Sequence, residues 1–342
     1  MIKKTFKYIG VVILTYVFLC IITPYISVLK NRSDKNQINY LSEIIDKGYD
    51  NTLQNRFPEG KIFSNALLAL STIEYCDNNR IFNEKYSTVV DNCIRRIQSK
   101  NAVKIFNESM IPKYGMFYNG WSNLVYSTYK ESQLFKYSEI QEKISEASKE
   151  IEERITRTQN DSLRTLDSYT GTNWPADNMI GISSISNDSL KAKWIEVIIN
   201  NAQHKSGLIN HVSSNVSEIR GSSNAMITYC LGKSHYQAIE QYNEVFHSQL
   251  IDEYIGIQLV KENENGSNSM DVDSGPVVFG YGASATIMNI KTQASLGNEK
   301  SRLTWAAMNT LALPINIFNK KYYLMKKEPM LDLFMLWGGT EL

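Results

Sequence analysis

The sequence predicts an all-α protein: an N-terminal transmembrane helix followed by an α/α toroid of helical hairpins. Three observations carry this expectation. Residues 8–29 form an uncharged apolar run. From residue 36 onward, apolar side chains recur with helical spacing, and strand-like alternation is scarce. A short polar motif also returns at the start of alternate helices.

The run YIGVVILTYVFLCIITPYISVL would extend about 33 Å as a helix, enough to cross a hydrocarbon core. A cleaved signal peptide would have a shorter apolar region ending at small residues, and none is present. No small residue precedes Cys20, as a lipid-attachment site would require. Lys3, Lys4 and Lys7 precede the run, while Lys30, Arg32 and Lys35 follow it. That charge bias weakly favours a single-pass protein with its domain on the outer, extracytoplasmic side. The expected division is a membrane anchor with a short linker over 1–35 and an α/α-toroid domain over 36–342.

Helices are expected at 61–78, 84–99, 120–134, 138–157, 175–187, 189–203, 222–231, 235–249, 281–296, 299–312 and 329–338. Turns such as CDNNR, SND and LGNEK are short, which implies antiparallel neighbours. At alternate helix starts a small or acidic residue precedes Asn: Ser64–Asn65, Ser122–Asn123, Asp177–Asn178 and Ser223–Asn224. These asparagines fall 58, 55 and 46 residues apart, and the fifth start departs with Ser284–Ala285. The motif-bearing helices are apolar on most faces. Their partners are charged, as in EIQEKISEASKEIEERI at 139–155. With 36–48 and 329–338 as a sixth pair, the pattern implies an inner ring of helices inside an outer one.

This alternation, together with the DVDSGP and GxGAS segments, resembles the six-hairpin α/α-toroid superfamily, nearest to membrane-anchored bacterial members. The resemblance covers most of residues 36–342. It implies carbohydrate-active hydrolases, lyases or epimerases, or enzymes of the linalool dehydratase-isomerase type, since one fold hosts unrelated chemistries.

A formal net charge of +1 gives no global field to attract nucleic acid. Cys20, Cys76, Cys93 and Cys230 show neither paired nor zinc-type spacing. No metal or cofactor is expected. H-E-x-x-H, G-x-S-x-G, P-loop and dinucleotide motifs are missing, and FGYGAS reads as tight helix packing.

In a toroid, the loops that precede inner helices gather at one mouth. Here those loops carry most of the chemistry. DVDSGP supplies Asp271 and Asp273, the first candidates for acid–base work, one facing a pocket and one holding the loop. Asp177 and Glu59 are candidate second carboxylates, as glycosidic hydrolysis requires. Each also reads simply as a helix-start carboxylate. Trp174, Tyr114, Tyr118 and Trp121 are candidate substrate-stacking faces, with loop packing as the alternative. Arg220 suits a carboxylate, of a substrate or of Asp271. Asn178 belongs to the candidate binding set. The EF-hand spacing is not met. His211 comes just before the Arg220 loop, within reach of the mouth, though a lone histidine reads first as a surface or turn residue; His204, His235 and His247 read as outer.

The leading functional expectation is a membrane-anchored glycoside hydrolase or lyase acting on a small-molecule or glycan substrate. The alternatives are an isoprenoid or lipid lyase or isomerase, and a toroid that binds a glycan or partner without catalysis. An open polar mouth separates the first from the second, which needs a narrow apolar one.

Overall fold

The computed structural model describes residues 33–213, 218–271, 274–324 and 329–342, with scattered positions between Tyr8 and Thr23. Its helices are α1 Asp34–Asp46, α2 Tyr49–Arg56, α3 Gly60–Asn79, α4 Glu84–Ile97 and the single turn α5 Lys100–Val103. They continue with α6 Gly115–Glu131, α7 Gln141–Asp161, α8 Pro175–Ser184, α9 Asp188–Ala202, α10 Gly221–Lys233 and α11 Ile239–Leu250. The last three are α12 Ala283–Ser295, α13 Lys300–Leu311 and α14 Pro329–Gly339. The chain is therefore mostly helical, and the helices expected from periodicity are present with small shifts at their ends.

Helices α3, α6, α8, α10, α12 and α14 pack each on the next, and α14 packs back on α3. Each also pairs with one outer helix: α4, α7, α9, α11, α13 and α1 in turn. Burial separates the two sets. In α7 the buried residues Ile144, Ser148, Ile151 and Ile155 form a single stripe, so one face meets the core and the other meets water. In α10 nearly every side chain from Ser223 to Leu231 is buried. The axis is filled by aromatic side chains. Trp337 meets Trp121 and Tyr229 with ring centroids 6.0 and 5.7 Å apart. At the C-terminal ends of the inner helices, Lys291 is fully buried. Its Nζ donates to Glu74 at 2.5 Å and to Thr340 at 2.9 Å.

The N-terminal ends of the inner helices face an accounting problem. A buried loop there leaves backbone N–H and C=O groups that water cannot reach. The solution recurs. Asn178 Oδ1 accepts the backbone N–H of Leu166 at 2.8 Å, and Asn224 Oδ1 accepts that of Ile209 at 3.2 Å. Thr286 Oγ1 accepts from Val260 at 3.1 Å, and Asp332 Oδ1 from Tyr323 at 3.0 Å. Each clamping residue is the fourth of its helix. Asn178 and Asn224 also donate to the C=O of Leu166 and Ile209, and back to their own helix starts.

Two details of the repeat differ from the sequence expectation. In α6 the residue bound to its own helix start is Asn119, through the carbonyls of Lys113 and Gly115, not Asn123. Asn123 instead bonds Ser184 and Ser148, tying α6 to α8 and α7. The fifth copy does not lose the clamp, because Thr286 supplies it one residue after Ala285.

Three short hairpins also escaped the sequence reading: β1 Ile251–Tyr254 with β2 Ile257–Val260, β3 Val277–Val278 with β4 Tyr281–Gly282, and β5 Pro314–Ile317 with β6 Lys320–Tyr323. They are too short for alternation to stand out. Among the described residues no helix is long and apolar enough to cross a membrane. Much of the expected span 8–29 lies outside those residues.

Two outcomes follow for stability. Replacing Asn224 by Ala strands buried groups of Ile209 and Arg220, and should cost about 2–4 kcal/mol. A fall in urea midpoint at constant slope would register it. Burial pushes the Asp332 carboxyl up to about 7, opposed by its bond from Tyr323. The folded state thus favours the neutral acid: its contribution is full below the ordinary aspartate range and is lost as pH rises through about 7. Asp332→Asn keeps an acceptor for Tyr323 and should remove this slope, on the order of 2–4 kcal/mol between pH 4 and 8 by urea unfolding.

Candidate functional site

At the N-terminal ends of the inner helices lies a recess of about 120 Å³. Glu59, Trp121, Trp174, Asp177, His211 and Arg220 line it, with Phe63, Phe117, Ser222, Ser223 and Ser284. The helix starts place these side chains. Glu59 is the residue before α3, held where Gly60 lies so close to Leu53 that a Cβ would come within 2.7 Å of its backbone. Pro175 opens α8, and Asp177 sits in its first turn, where the helix dipole favours a carboxylate. Trp174 precedes that helix and stacks on His211, centroids 6.0 Å apart. Arg220 precedes α10, whose first turn offers Ser222 and Ser223.

The recess is lined mostly by apolar side chains, and its titratable groups respond. Burial raises the Glu59 carboxyl above the ordinary range, a rise opposed by bonds from its own backbone and from Tyr169. Burial, aided by the Arg220 guanidinium, lowers His211 to about 4, so its ring is neutral at pH 7. His211 Nδ1 lies 2.8 Å from Ser223 Oγ. Arg220 pairs with Asp271 at the rim.

Beside this recess is an apolar cavity of about 410 Å³, walled by Phe57, Pro276, Ile287, Met308, Leu331 and Met335, among others. Phe63, Ser284 and Phe334 belong to both spaces. The larger cavity therefore begins where the polar groups end.

The structure brings together Glu59, Asp177, Trp174, Trp121 and Arg220, five of the residues expected from sequence. Asp271 is not in the recess lining. It closes a turn with Ser274, exchanging two 2.9 Å bonds, and holds Arg220. Asp273 lies outside the described residues. Tyr114 and Tyr118 pack on one another at 5.4 Å and do not line the recess; Tyr118 is buried against Phe106. Asn178 is taken up by the loop clamp.

His211 lines the recess, the less favoured of the two readings its sequence position allowed, and one residue was not singled out at all. Glu262, in the polar run KENENG, is 1% exposed and lies beneath the first turn of α10. Its Oε1 accepts from Ser222 Oγ at 2.7 Å, and its Oε2 accepts from Ser222 N at 3.3 Å. Burial pushes its carboxyl up to about 7, against the Ser222 bonds and Arg220. The sequence hint was a pair of glycines. A Cβ on Gly282 would lie 2.7 Å from Glu262 Oε2, and one on Gly221 would lie 2.1 Å from the Lys261 carbonyl oxygen.

Among the described residues no group of three His, Cys, Asp or Glu is placed to hold a metal ion. No protein-family model matches the chain, and no curated protein matches it.

The electrostatics of the recess can be read by titration. Arg220→Gln removes a cation facing His211, and should raise the His211 pKa while burial keeps it below the ordinary histidine range. An NMR titration of the ring resonances reads this directly; an unchanged midpoint would show that Arg220 is not coupled to the ring.

Proposed function

We propose that this chain is a membrane-anchored acid–base enzyme for a substrate with a small polar head and an isoprenoid or other lipid tail, acting as a lyase or isomerase. One observation carries the reading: a narrow recess with two carboxyls and a histidine adjoins a cavity lined almost wholly by apolar side chains. The sizes matter. A cavity of about 150 Å³ holds benzene, so the recess suits a head group rather than an oligosaccharide. The larger space falls in the range of about 300–1,000 Å³ that accommodates organic ligands.

In this reading the ring of hairpins is an α/α toroid with its site at one mouth. Glu59, whose carboxyl burial raises above the ordinary range, is the group that donates to a leaving hydroxyl. Asp177 takes the proton from carbon, and the neutral His211 and Trp174 orient the head. Residues 8–29 anchor the chain in a single pass with the domain on the outer side. Tyr16, within that stretch, donates to the carbonyl of Leu311 at 2.8 Å, and Leu311 lines the apolar cavity.

The glycoside hydrolase or lyase reading keeps one support, Glu59 and Asp177 beside the face of Trp174. The apolar cavity, however, would give a sugar few hydrogen-bond partners.

Full-length protein in detergent should convert a prenyl alcohol such as geraniol or farnesol and leave xylan and chitin fragments intact. Glu59→Gln and Asp177→Asn should each lower kcat by about 10²-fold or more with the helical CD spectrum unchanged. Leu331→Trp, which fills the cavity, should raise KM with little change in kcat. Turnover of a glycan fragment without any of a prenyl alcohol would reverse the choice.

A further inference from the structure

Resting on the reading of the recess as a head-group site, we propose that Glu262 is a positioning residue whose protonation decides whether Ser222 offers the recess a hydrogen-bond donor or an acceptor. Glu262 lies behind the wall, whereas Ser222 lines the recess, so any effect of Glu262 on a ligand passes through that serine.

The geometry fixes the two states. The Ser222 backbone N–H occupies Oε2 of Glu262, so the proton of the neutral acid belongs on Oε1, the oxygen 2.7 Å from Ser222 Oγ. A hydroxyl rotates to suit its partner and carries one proton. When Glu262 is ionised, that proton points back at Oε1, and the recess sees only a lone pair. When Glu262 is protonated, it donates to Ser222 Oγ, and the serine proton turns toward the recess.

The carboxyl is held rigidly enough for this to work. Glu262 N–H donates to Gly280 O at 2.9 Å, and Gly221 N–H donates to Glu262 O at 2.9 Å. Gly282 leaves the space that Oε2 fills. The charged groups facing it are Arg220, just before α10, and Asp271 from the loop beyond, which act in opposite directions and are paired with each other. Lys261, its chain neighbour, is engaged by Asp252, which also accepts from Tyr281 of β4. Burial is the largest influence, and it brings the change of state near neutral pH.

A purely structural cap would predict none of this, because a fixed acceptor is enough to cap a helix. Two measurements on the full chain in detergent separate the cases. The first uses side-chain ¹³C NMR of glutamate-labelled protein. Glu262, assigned by Glu262→Gln, should titrate near pH 7, and Ser222→Ala should raise its proton affinity roughly tenfold by removing a bond to the charged form. Titration in the ordinary carboxylate range, or no effect of Ser222→Ala, would overturn the switch.

The second uses geranyl methyl ether, whose oxygen only accepts. Its affinity should fall about tenfold from pH 5.5 to 8.5 as Ser222 loses its outward donor. That pH dependence should vanish in Glu262→Gln and in Ser222→Ala, both checked for native CD. An affinity that is flat in the wild type, or that keeps its slope in Glu262→Gln, overturns the proposal. If neither the ether nor geraniol binds at any pH, the prenyl reading fails and the NMR arm still decides the switch.

Discussion

The clamp at the start of the inner helices is the interaction on which the rest depends. Inner helices are surrounded by other helices, so the chain entering them cannot satisfy its backbone with water. A polar side chain one turn in solves this by bonding the incoming segment. Asn suits the task because its amide supplies an acceptor and two donors in one plane. Asn178 and Asn224 use both functions, each binding the N–H and C=O of one incoming residue. Where only the N–H needs a partner, Thr286 or Asp332 serves instead. The cost of the acidic choice appears in the raised Asp332 carboxyl. Because the clamp fixes the loop, it also fixes whatever precedes or follows it: Trp174, Asp177, His211 and Arg220 all lie within a few residues of a clamped position.

Packing then decides where a site can exist. Aromatic side chains fill the axis, and the Lys291–Glu74 pair occupies the ends of the inner helices away from the clamps. What remains open is the clamped end, enclosed by apolar walls. Low polarity there disfavours charge. Glu59 and Glu262 are raised and His211 is lowered, so the groups move toward their neutral forms. The ion pair at the recess, Arg220 with Asp271, involves the partly exposed rim rather than the interior. A small recess whose carboxyls and imidazole are shifted toward their neutral forms, beside an apolar cavity, is a different object from the charged, open cleft that a polar polymer requires.

The sequence disclosed the parts of this that depend on periodicity. Burial of one helix in each pair and exposure of the other leaves a strong imprint, as 139–155 shows, and the helix list follows from it. The mouth loops were legible because Gly, Pro and aromatic residues concentrate there. The role of each polar residue was not legible. Asn65, Asn123, Asn178 and Asn224 look equivalent in sequence, yet Asn119 takes over from Asn123 because α6 begins at Gly115, five residues before its expected start, which leaves Asn123 two turns in. Thr286 was hidden because a hydroxyl and an amide share no letter but share an acceptor. Glu262 was hidden for a stronger reason: a carboxylate between Lys261 and Asn263 looks solvated, and only the tertiary placement of Gly221 and Gly282 makes room for it indoors. The hairpins, at two to four residues per strand, are set by turns rather than by pattern.

DVDSGP, the most conspicuous stretch in the sequence, acquires a limited meaning. Asp271 closes a turn on Ser274 and draws the Arg220 guanidinium toward the rim. Gly275, at φ +61°, and Pro276 continue from that turn into the wall of the apolar cavity. One loop thus touches both spaces, neutralising the cation beside the polar recess and shaping the entrance to the apolar one. An anionic head group would have to compete with Asp271 for Arg220, and it would find the first turn of α10 already occupied by the Glu262 carboxyl. An uncharged hydroxyl or ether oxygen faces neither obstacle. The same arrangement that makes the acids poor electrostatic partners for a cation makes them suitable for moving a proton at a neutral oxygen.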